Sequence, residues 1–303
     1  MKQRIARLLR GRIRDAIVNV TSSGGGPKVD YSQPLGDAGL FGPDSVCWRV
    51  HADPTSMFVG GFAALMMQAL EPRALAGVFD HSSFRQDPFG RLRRTSTFVM
   101  GTTYGPRADA EALIARVRAR HRSVKGIAAD GRPYAASNGE LLTWVHVCEM
   151  YCFLRAHRRY VDPAMSLADQ NRYYAEVALV AEKLGATAIP RSVAEVTAYL
   201  ARMRPHLQAG AGARSIHDFL SKTRPPSIAT WPFARLLYQA SVDLLPEWAS
   251  RLSGLQRFRL GRKLLARNAM RQVGPIMRWA LAGQNAPFRS RQRMGLEAGV
   301  STG

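Results

Sequence analysis

Apolar residues recur at helical spacing along most of the chain, and no segment shows the alternation that is typical of a half-buried strand. The segment that begins at Ser192 also carries a capping box, because Glu195 stands three residues later. The apolar pattern predicts helices over residues 43–50, 56–70, 91–104, 108–127, 140–159, 166–185, 192–207, 231–243 and 256–281. No internal repeat is present. The sequence therefore predicts an all-α fold.

The domain organisation follows from the same pattern. Residues 30–285 are predicted to form a single large helical domain, and residues 286–303 a flexible tail. Residues 1–29 combine a basic amphipathic helix with the Gly-rich linker "TSSGGGPK". The apolar stripe of this helix consists of Ile5, Leu9, Ile13, Ile17 and Val20. Most such helices dock on their own domain; the alternative is that residues 1–20 contact an anionic membrane surface.

The composition narrows the class of protein. The 303 residues include 43 Lys and Arg against 22 Asp and Glu, and the resulting net charge of +21 favours an anionic partner. No helix-turn-helix or aromatic–basic RNA motif accompanies this charge, so no specific nucleic acid is expected. The cysteines Cys47, Cys148 and Cys152 lack zinc-type spacing, and no signal peptide is visible. These features predict reduced thiols in a cytoplasmic protein.

His121 lies within a run of cations, "ARVRARHRSVKG", at residues 115–126. On one continuous helix the neighbours of His121 at three and four positions include Arg118 and Lys125, on an otherwise half-apolar face. The other three arginines lie off that face and are expected in solvent: Arg116, Arg120 and Arg122. Two interpretations stay open. His121 is a core histidine whose neighbouring cations reach outward to water, or it ligates a metal while those cations neutralise an anionic cofactor and lower the histidine pKa.

Two further segments place polar groups on helical faces. In "FGRLRRTSTFVMGTTYG" the spacing puts Arg91, Arg94, Thr95 and Phe98 on one face, which would form a polar pocket wall. The alternative is a solvated run of arginines. In "NGELLTWVHVCEMYCFL" the residue His146 stands in an apolar helix, where a histidine is most often part of the core.

Four segments resemble the MpaB-type oxygenases, a family that also includes the rubber oxygenases (latex-clearing proteins). They have the order and spacing of that family: "GLFGPDSVCWRVHADPTSMFVGGFAALMMQALEP", "FDHSSFRQDPFGRLRRTSTFV", "HRSVKG" and "LLTWVHVCE". The resemblance covers about residues 38–285 and rests on several separate motifs. It implies an all-helical domain whose core helices surround a pocket for non-covalently bound haem b. It also implies cleavage of carbon–carbon double bonds in isoprenoid chains with dioxygen.

The resemblance implies a role for each residue around the proximal side of the haem. His121 would be the axial iron ligand, because it opens a segment similar to the H-x-x-V-x-G segment of the family. In the rubber branch, basic residues stand three before and four after that histidine. Arg118 and Lys125 occupy these positions and would compensate the haem propionates. His146, in the fourth segment, would be a further residue of the cofactor pocket, and His146 or His81 would be the next candidate ligand.

On the distal side the resemblance is less complete. The Arg-x-x-Lys-Thr motif of the rubber branch is matched by Arg91, Arg94 and Thr95, which are the expected catalytic residues. Arg94 replaces the lysine, and a guanidinium offers no lone pair to iron. The rubber enzymes also use a glutamate as a base, but residues 73–79 contain no carboxylate. The nearest carboxylates are those of Glu71 and Asp80.

Together these features predict a haem b-dependent oxygenase that uses dioxygen on an apolar, isoprenoid- or lipid-like substrate. Residues 57–70 would line the substrate pocket, although Met-rich apolar helices are more often plain core. Two alternatives remain open. One is a non-catalytic haem-binding or haem-sensing protein, and the other is a basic nucleic-acid-binding protein.

Overall fold

Helices dominate the computed structural model, which describes residues 2–21, 28–81, 87–222, 231–255 and 260–296. The elements within these residues are α1 (Lys2–Thr21), α2 (Val46–His51), α3 (Pro54–Gln68), α4 (Pro72–His81), α5 (Pro88–Tyr104), α6 (Arg107–Arg122), β1 (Lys125–Ile127), β2 (Pro133–Ala135), α7 (Gly139–Tyr160), α8 (Leu167–Leu184), α9 (Val193–Met203), a 3-10 turn (Arg204–His206), α10 (Ala211–Lys222), α11 (Trp231–Leu244), α12 (Glu247–Leu252), α13 (Leu260–Leu281) and α14 (Ala286–Arg293). The all-α class is confirmed. The antiparallel hairpin of β1 and β2 was not predicted.

Side-chain caps set several helix boundaries. Asp53 accepts a hydrogen bond from the Ser56 backbone N–H (2.7 Å) and so begins α3. The capping box predicted at Ser192 is confirmed, since its hydroxyl accepts from the Glu195 N–H at 3.2 Å. Helix α8 ends at Gly185, whose φ of 100° is the left-handed conformation that glycine adopts most readily. These ends are therefore encoded locally.

Helix α3 is the centre of the core. Its buried side chains occupy one half of the helix, the other half is half-buried, and it packs closely on α7. At Gly60 the two backbones approach so closely that a Cβ atom would lie 2.9 Å from Phe153 Cδ1 and 3.0 Å from the Cys152 carbonyl oxygen. Two of the three methionines of α3, Met66 and Met67, are completely buried. Most of the 57–70 segment is therefore core, and only a few of its residues line a cavity.

The helix predicted over residues 108–127 is too long. Helix α6 ends at Arg122, where the Ser123 hydroxyl donates to the Arg120 carbonyl oxygen (2.9 Å), and the chain turns into β1. Val124 enters a small apolar cluster that also contains Ala128, Tyr134 and Leu141. Burial of this cluster under the hairpin outweighs continuation of the helix.

The predicted flexible tail at residues 286–303 is corrected over its first part, because α14 docks on the domain. Arg293 is only 1% exposed and donates to three backbone carbonyl oxygens. Its acceptors are those of Asp37 (2.7 Å), Tyr31 (3.0 Å) and Tyr104 (2.9 Å). Three hydrogen bonds from a charged group make this end of the chain part of the fold. Residues 297–303 lie outside the described residues.

The N-terminal helix α1 packs against α5 and α13. Arg10 donates to the Ala282 carbonyl oxygen, and Arg14 donates to the Gln284 side chain (3.3 Å). The expectation that this amphipathic helix docks on its own domain is confirmed for the face that carries these arginines. Over the described residues, no helix combines the length and the apolar character that crossing a bilayer requires. Most of the Gly-rich linker lies outside the described residues.

We predict that Gly60→Ala lowers the free energy of unfolding by about 1–3 kcal/mol, because the added methyl group overpacks the α3–α7 contact. Gly61→Ala is the matched control: a Cβ there meets only Phe153 Cε1 at 3.8 Å. The control variant should be neutral, or more stable by up to about 1 kcal/mol, since alanine favours a helix. Urea unfolding of both variants measures the difference. Equal stability of the two would contradict the close approach at Gly60.

Candidate functional site

A cavity of about 1140 Å³ lies within the helical domain. Residues of α2 to α8 and of the hairpin form its walls, and most of the lining is apolar. Leu65, Phe98, Leu113, Val145 and Met150 are examples from four different helices. Ligand sites in proteins usually measure about 300–1,000 Å³. This cavity is therefore large enough for a bulky ligand.

Helix α6 lines the cavity with a face that differs from the predicted one. The contributing residues are Leu113, Arg116, Val117, Arg120 and His121. His121 is thus on the cavity wall, where the resemblance implied a cofactor ligand. Arg116 and Arg120, which were expected in solvent away from His121, share this wall and keep exposed side chains. They therefore lie where the cavity meets solvent.

The two cations that were predicted to flank His121 lie elsewhere. Arg118 is exposed and lines a separate cleft beside Lys183. Ile114, one turn earlier, is buried against α8 and fixes this side of α6 toward that helix. Lys125 is exposed in β1, because α6 ends before it, and is not among the residues that line the cavity. The prediction that Arg118 and Lys125 share the His121 face is therefore wrong.

His121 differs from His51, another cavity histidine, in its hydrogen bonds. Its Nδ1 atom is buried, and no described residue pairs with it. His51, by contrast, uses both ring nitrogens, toward Thr103 Oγ1 (2.9 Å) and the Tyr173 hydroxyl (2.9 Å). An unpaired buried polar atom destabilises a fold by about 1–3 kcal/mol, so its presence marks a candidate ligand-binding group.

The ionisation of the cavity histidines favours neutral imidazoles. Burial lowers the pKa of His121, and it lowers the pKa of His146, on α7, to about 4. The direction for His121 is the predicted one. The cause is different, because desolvation and not the charge of flanking cations produces the shift. A neutral imidazole has a lone pair available for a metal.

The distal motif does form one wall. Arg91, Arg94 and Thr95, all on α5, line the cavity together. Arg91 is the most enclosed of the three, and burial lowers its pKa, while the nearby Glu149 carboxylate opposes that shift. Arg94 and Thr95 are exposed at the rim, where Arg94 lies 3.9 Å from the Asp87 carboxylate. The structure thus brings together the three residues that the sequence grouped.

Glu149 is a cavity residue that was not predicted. It lies on α7 three residues after His146, and both residues line the cavity. Gln68 Nε2 donates to Glu149 Oε1 at 3.3 Å. Burial raises the Glu149 pKa to about 7, against the opposing effects of the Gln68 hydrogen bond and the Arg91 charge. The signal was present in the sequence, since a spacing of three places both side chains on one helical face.

The two carboxylates that the sequence offered as nearest to the distal motif have structural roles. Glu71 is fully buried and accepts hydrogen bonds from Arg73 Nε (2.9 Å) and Arg132 Nη2 (3.3 Å). Asp80 accepts from the Tyr134 hydroxyl at 2.7 Å. Arg132 and Tyr134 belong to the hairpin, so these carboxylates hold it against α4. Neither carboxylate is among the residues that line the cavity.

Fold and site define an all-helical ligand-binding domain with ionisable groups on the wall of a large apolar cavity. No group of three or more His, Cys, Asp or Glu side chains arranged to hold a metal occurs in the described part of the chain. The family described as ER-bound oxygenase mpaB/B'/Rubber oxygenase, catalytic domain, matches residues 48–298. The chain therefore belongs to this family and is an oxygenase. No curated protein and no solved structure is significantly similar to it.

We predict a pH-dependent stability effect of Glu149. Because its pKa is about 7 in the folded protein and near 4.5 when exposed, the folded state retains a proton that the unfolded chain releases. This contribution is present below pH 4.5 and is lost as the pH rises through 7. Relative to wild type, Glu149→Gln should gain up to about 3 kcal/mol between pH 4.5 and 8. Urea unfolding across this range measures the gain.

The control for this experiment is Glu140→Gln, on the exposed surface of the same helix. It should show no such gain. The comparison with wild type at each pH is essential, because buried histidines with lowered pKa values act in the opposite direction between pH 4 and 6.5. A difference between Glu149→Gln and wild type that does not change with pH would show that Glu149 is not desolvated.

Proposed function

We propose that the protein is a cytoplasmic, haem b-dependent oxygenase that uses dioxygen on an apolar, isoprenoid- or lipid-like substrate. The observation that carries this proposal is the position of His121, whose buried Nδ1 lacks a partner, on the wall of a large, mainly apolar cavity. Membership of the oxygenase family supports the reaction class. The identity of the cofactor and of the substrate is what the experiments below test.

The side chains of the cavity fit haem b. A protein that binds haem b needs to offer one side-chain ligand to the iron, and a histidine is a common choice. His121 would supply it as a neutral imidazole. The apolar walls suit the macrocycle, while the exposed Arg116 and Arg120 suit its propionates. His146, on a different helix of the same wall, is the second candidate ligand.

When bound, haem would supply the site at which dioxygen is activated. The chain would contribute fixed charge and exclusion of water. Arg91 remains a cation, and its enclosed guanidinium would stabilise negative charge that develops on the reacting oxygen atoms. Thr95 offers a hydroxyl donor on the same wall. Arg94, exposed at the rim, carries a guanidinium, which offers no lone pair to a metal.

Glu149 is the candidate acid–base group. A carboxyl group with a pKa of about 7 populates both protonation states near neutral pH, which is the condition for accepting and returning a proton at Oε1 or Oε2. Gln68 fixes its orientation, and Arg91 supplies a compensating charge. This arrangement places an ionisable carboxyl in the cavity, although residues 73–79 contain none.

The first test combines cofactor binding with turnover. We predict that the purified chain, titrated with haemin, binds about one haem and develops a Soret band, and that His121→Ala loses most of it while circular dichroism stays helical. His146→Ala is the matched control and should retain the band. The loaded protein, incubated with squalene as an isoprenoid probe under ¹⁸O-labelled dioxygen, should yield labelled carbonyl products. Full haem binding by His121→Ala would reject His121 as the ligand.

The second test concerns which face of α6 lines the cavity. We predict that Arg120→Gln weakens haem binding about five-fold, the effect of losing about 1 kcal/mol at an exposed ion pair. Arg118→Gln, on the same helix but outside the cavity, should leave the affinity unchanged. Haemin titrations at constant ionic strength measure both. The reverse result would restore the face inferred from the sequence, and equal effects would indicate that only the overall positive charge matters.

A further inference from the structure

Helix α13 carries an apolar stripe on its solvent side. The stripe consists of Leu265, Ala269, Ile276 and Trp279, and the polar Gln272 lies among them on the same side of the helix. Its three large apolar side chains are unusually open, at 70% exposure for Leu265, 49% for Ile276 and 43% for Trp279. The opposite side of the helix is already used, since Met270 and Met277 are buried. The stripe is therefore a second apolar face that no described part of the chain covers.

The neighbouring helix α1 adds to this surface. It packs against α13, and the Arg10 hydrogen bond to the Ala282 carbonyl joins the two helices. On α1 the large apolar side chains Leu8 and Leu9 are 63% and 51% exposed. Two adjacent helices thus leave leucine, isoleucine and tryptophan side chains in water. Exposed large apolar side chains on two helices that contact each other mark an interaction surface more often than scattered single residues do.

The charge of the two helices indicates the kind of partner that would bind this surface. The α1 sequence contains six cationic residues and one acidic residue, and the α13 sequence contains five cationic residues and no acidic one. Arg267 and Arg278 pair with carboxylates of the domain. Others are exposed beside the apolar positions, among them Arg7, Arg12 and Arg271. The surface therefore combines apolar side chains with excess positive charge.

We infer that α1 and α13 together form a docking surface for an anionic lipid bilayer. Leucine and isoleucine would enter the acyl boundary, Trp279 would lie at the headgroup level, and the arginines would contact lipid phosphates. A second copy of the chain fits less well, because its own cationic helices would face these. Nucleic acid would neutralise the arginines but leave the apolar stripe in water. The inference does not depend on the proposed cofactor or reaction.

Vesicle flotation of the full chain tests this docking surface. Vesicles of phosphatidylcholine mixed with phosphatidylglycerol should carry the protein, and vesicles of phosphatidylcholine alone should not. Added salt should weaken the binding, because it screens the arginines. The double variant Leu265→Ser/Ile276→Ser should reduce the partition coefficient about ten-fold or more, since two large apolar side chains no longer insert. Circular dichroism confirms that this variant folds.

Two comparisons locate the contact. Leu167→Ser removes a leucine that is 61% exposed on α8, away from this surface, and should bind vesicles like wild type. Tryptophan emission should shift to the blue on binding, and Trp279→Phe should remove most of that shift. Absence of binding at low salt, or equal binding by the double variant and Leu167→Ser, would overturn the inference. So would a dimer in sedimentation that the double variant dissociates, because the stripe would then bind a second copy.

Discussion

The close contact between α3 and α7 is the constraint on which the cavity depends. Because Gly60 has no side chain, the two backbones approach until Phe153 lies against α3. Gln68 lies two turns after Gly60 on the same side of α3, and its amide reaches the Val145 carbonyl oxygen and the Glu149 carboxylate, each at 3.3 Å. The spacing of the helices therefore also sets the hydrogen bond that orients the cavity carboxylate. The contact between α3 and α7 thus both packs the core and orients the Glu149 side chain.

The electrostatic state of the cavity follows from this geometry. Arg91 on α5 and Glu149 on α7 are each destabilised as ions by burial, and each stabilises the other as an ion. The balance leaves the Glu149 pKa near neutrality. An apolar ligand that displaces water from the cavity disfavours the carboxylate further, so binding and proton uptake at Glu149 are physically linked. A site in which a carboxyl group takes up a proton when the ligand binds suits a reaction that must exclude water.

The sequence was sufficient for the fold class and for several site residues. The long helices are strongly periodic, and the spacing of Arg91, Arg94 and Thr95 put them on one wall, as found. The sequence did not determine which face of α6 lines the cavity. Cations and apolar residues occur on two faces of that helix, so its own pattern does not choose between them. The choice is made by burial of Ile114 against α8, a tertiary contact that no local spacing encodes.

The hairpin and α14 are two further features that the sequence pattern did not predict. The hairpin strands are three residues each, which is too short to show a pattern of alternation, and Val124 is buried with Tyr134 in the same small apolar cluster. Arg293 is the residue that docks α14 on the domain. From the sequence alone, an arginine at this position is expected to be solvated. Its burial depends on carbonyl oxygens from segments more than 180 residues away along the chain. Neither feature has a local signal of sufficient strength.

The high positive charge of the chain is distributed among distinct physical roles. Some arginines are structural: Arg159 and Arg267 share the buried Asp243 carboxylate, and Arg293 holds backbone carbonyl groups. Arg116 and Arg120 stand where the cavity meets solvent. A third set lies on α1 and α13. A net charge of +21 therefore does not describe one continuous polyanion-binding face. The arginines of this third set lie beside the apolar stripe of α13. They are therefore better suited to a lipid surface than to a nucleic-acid backbone.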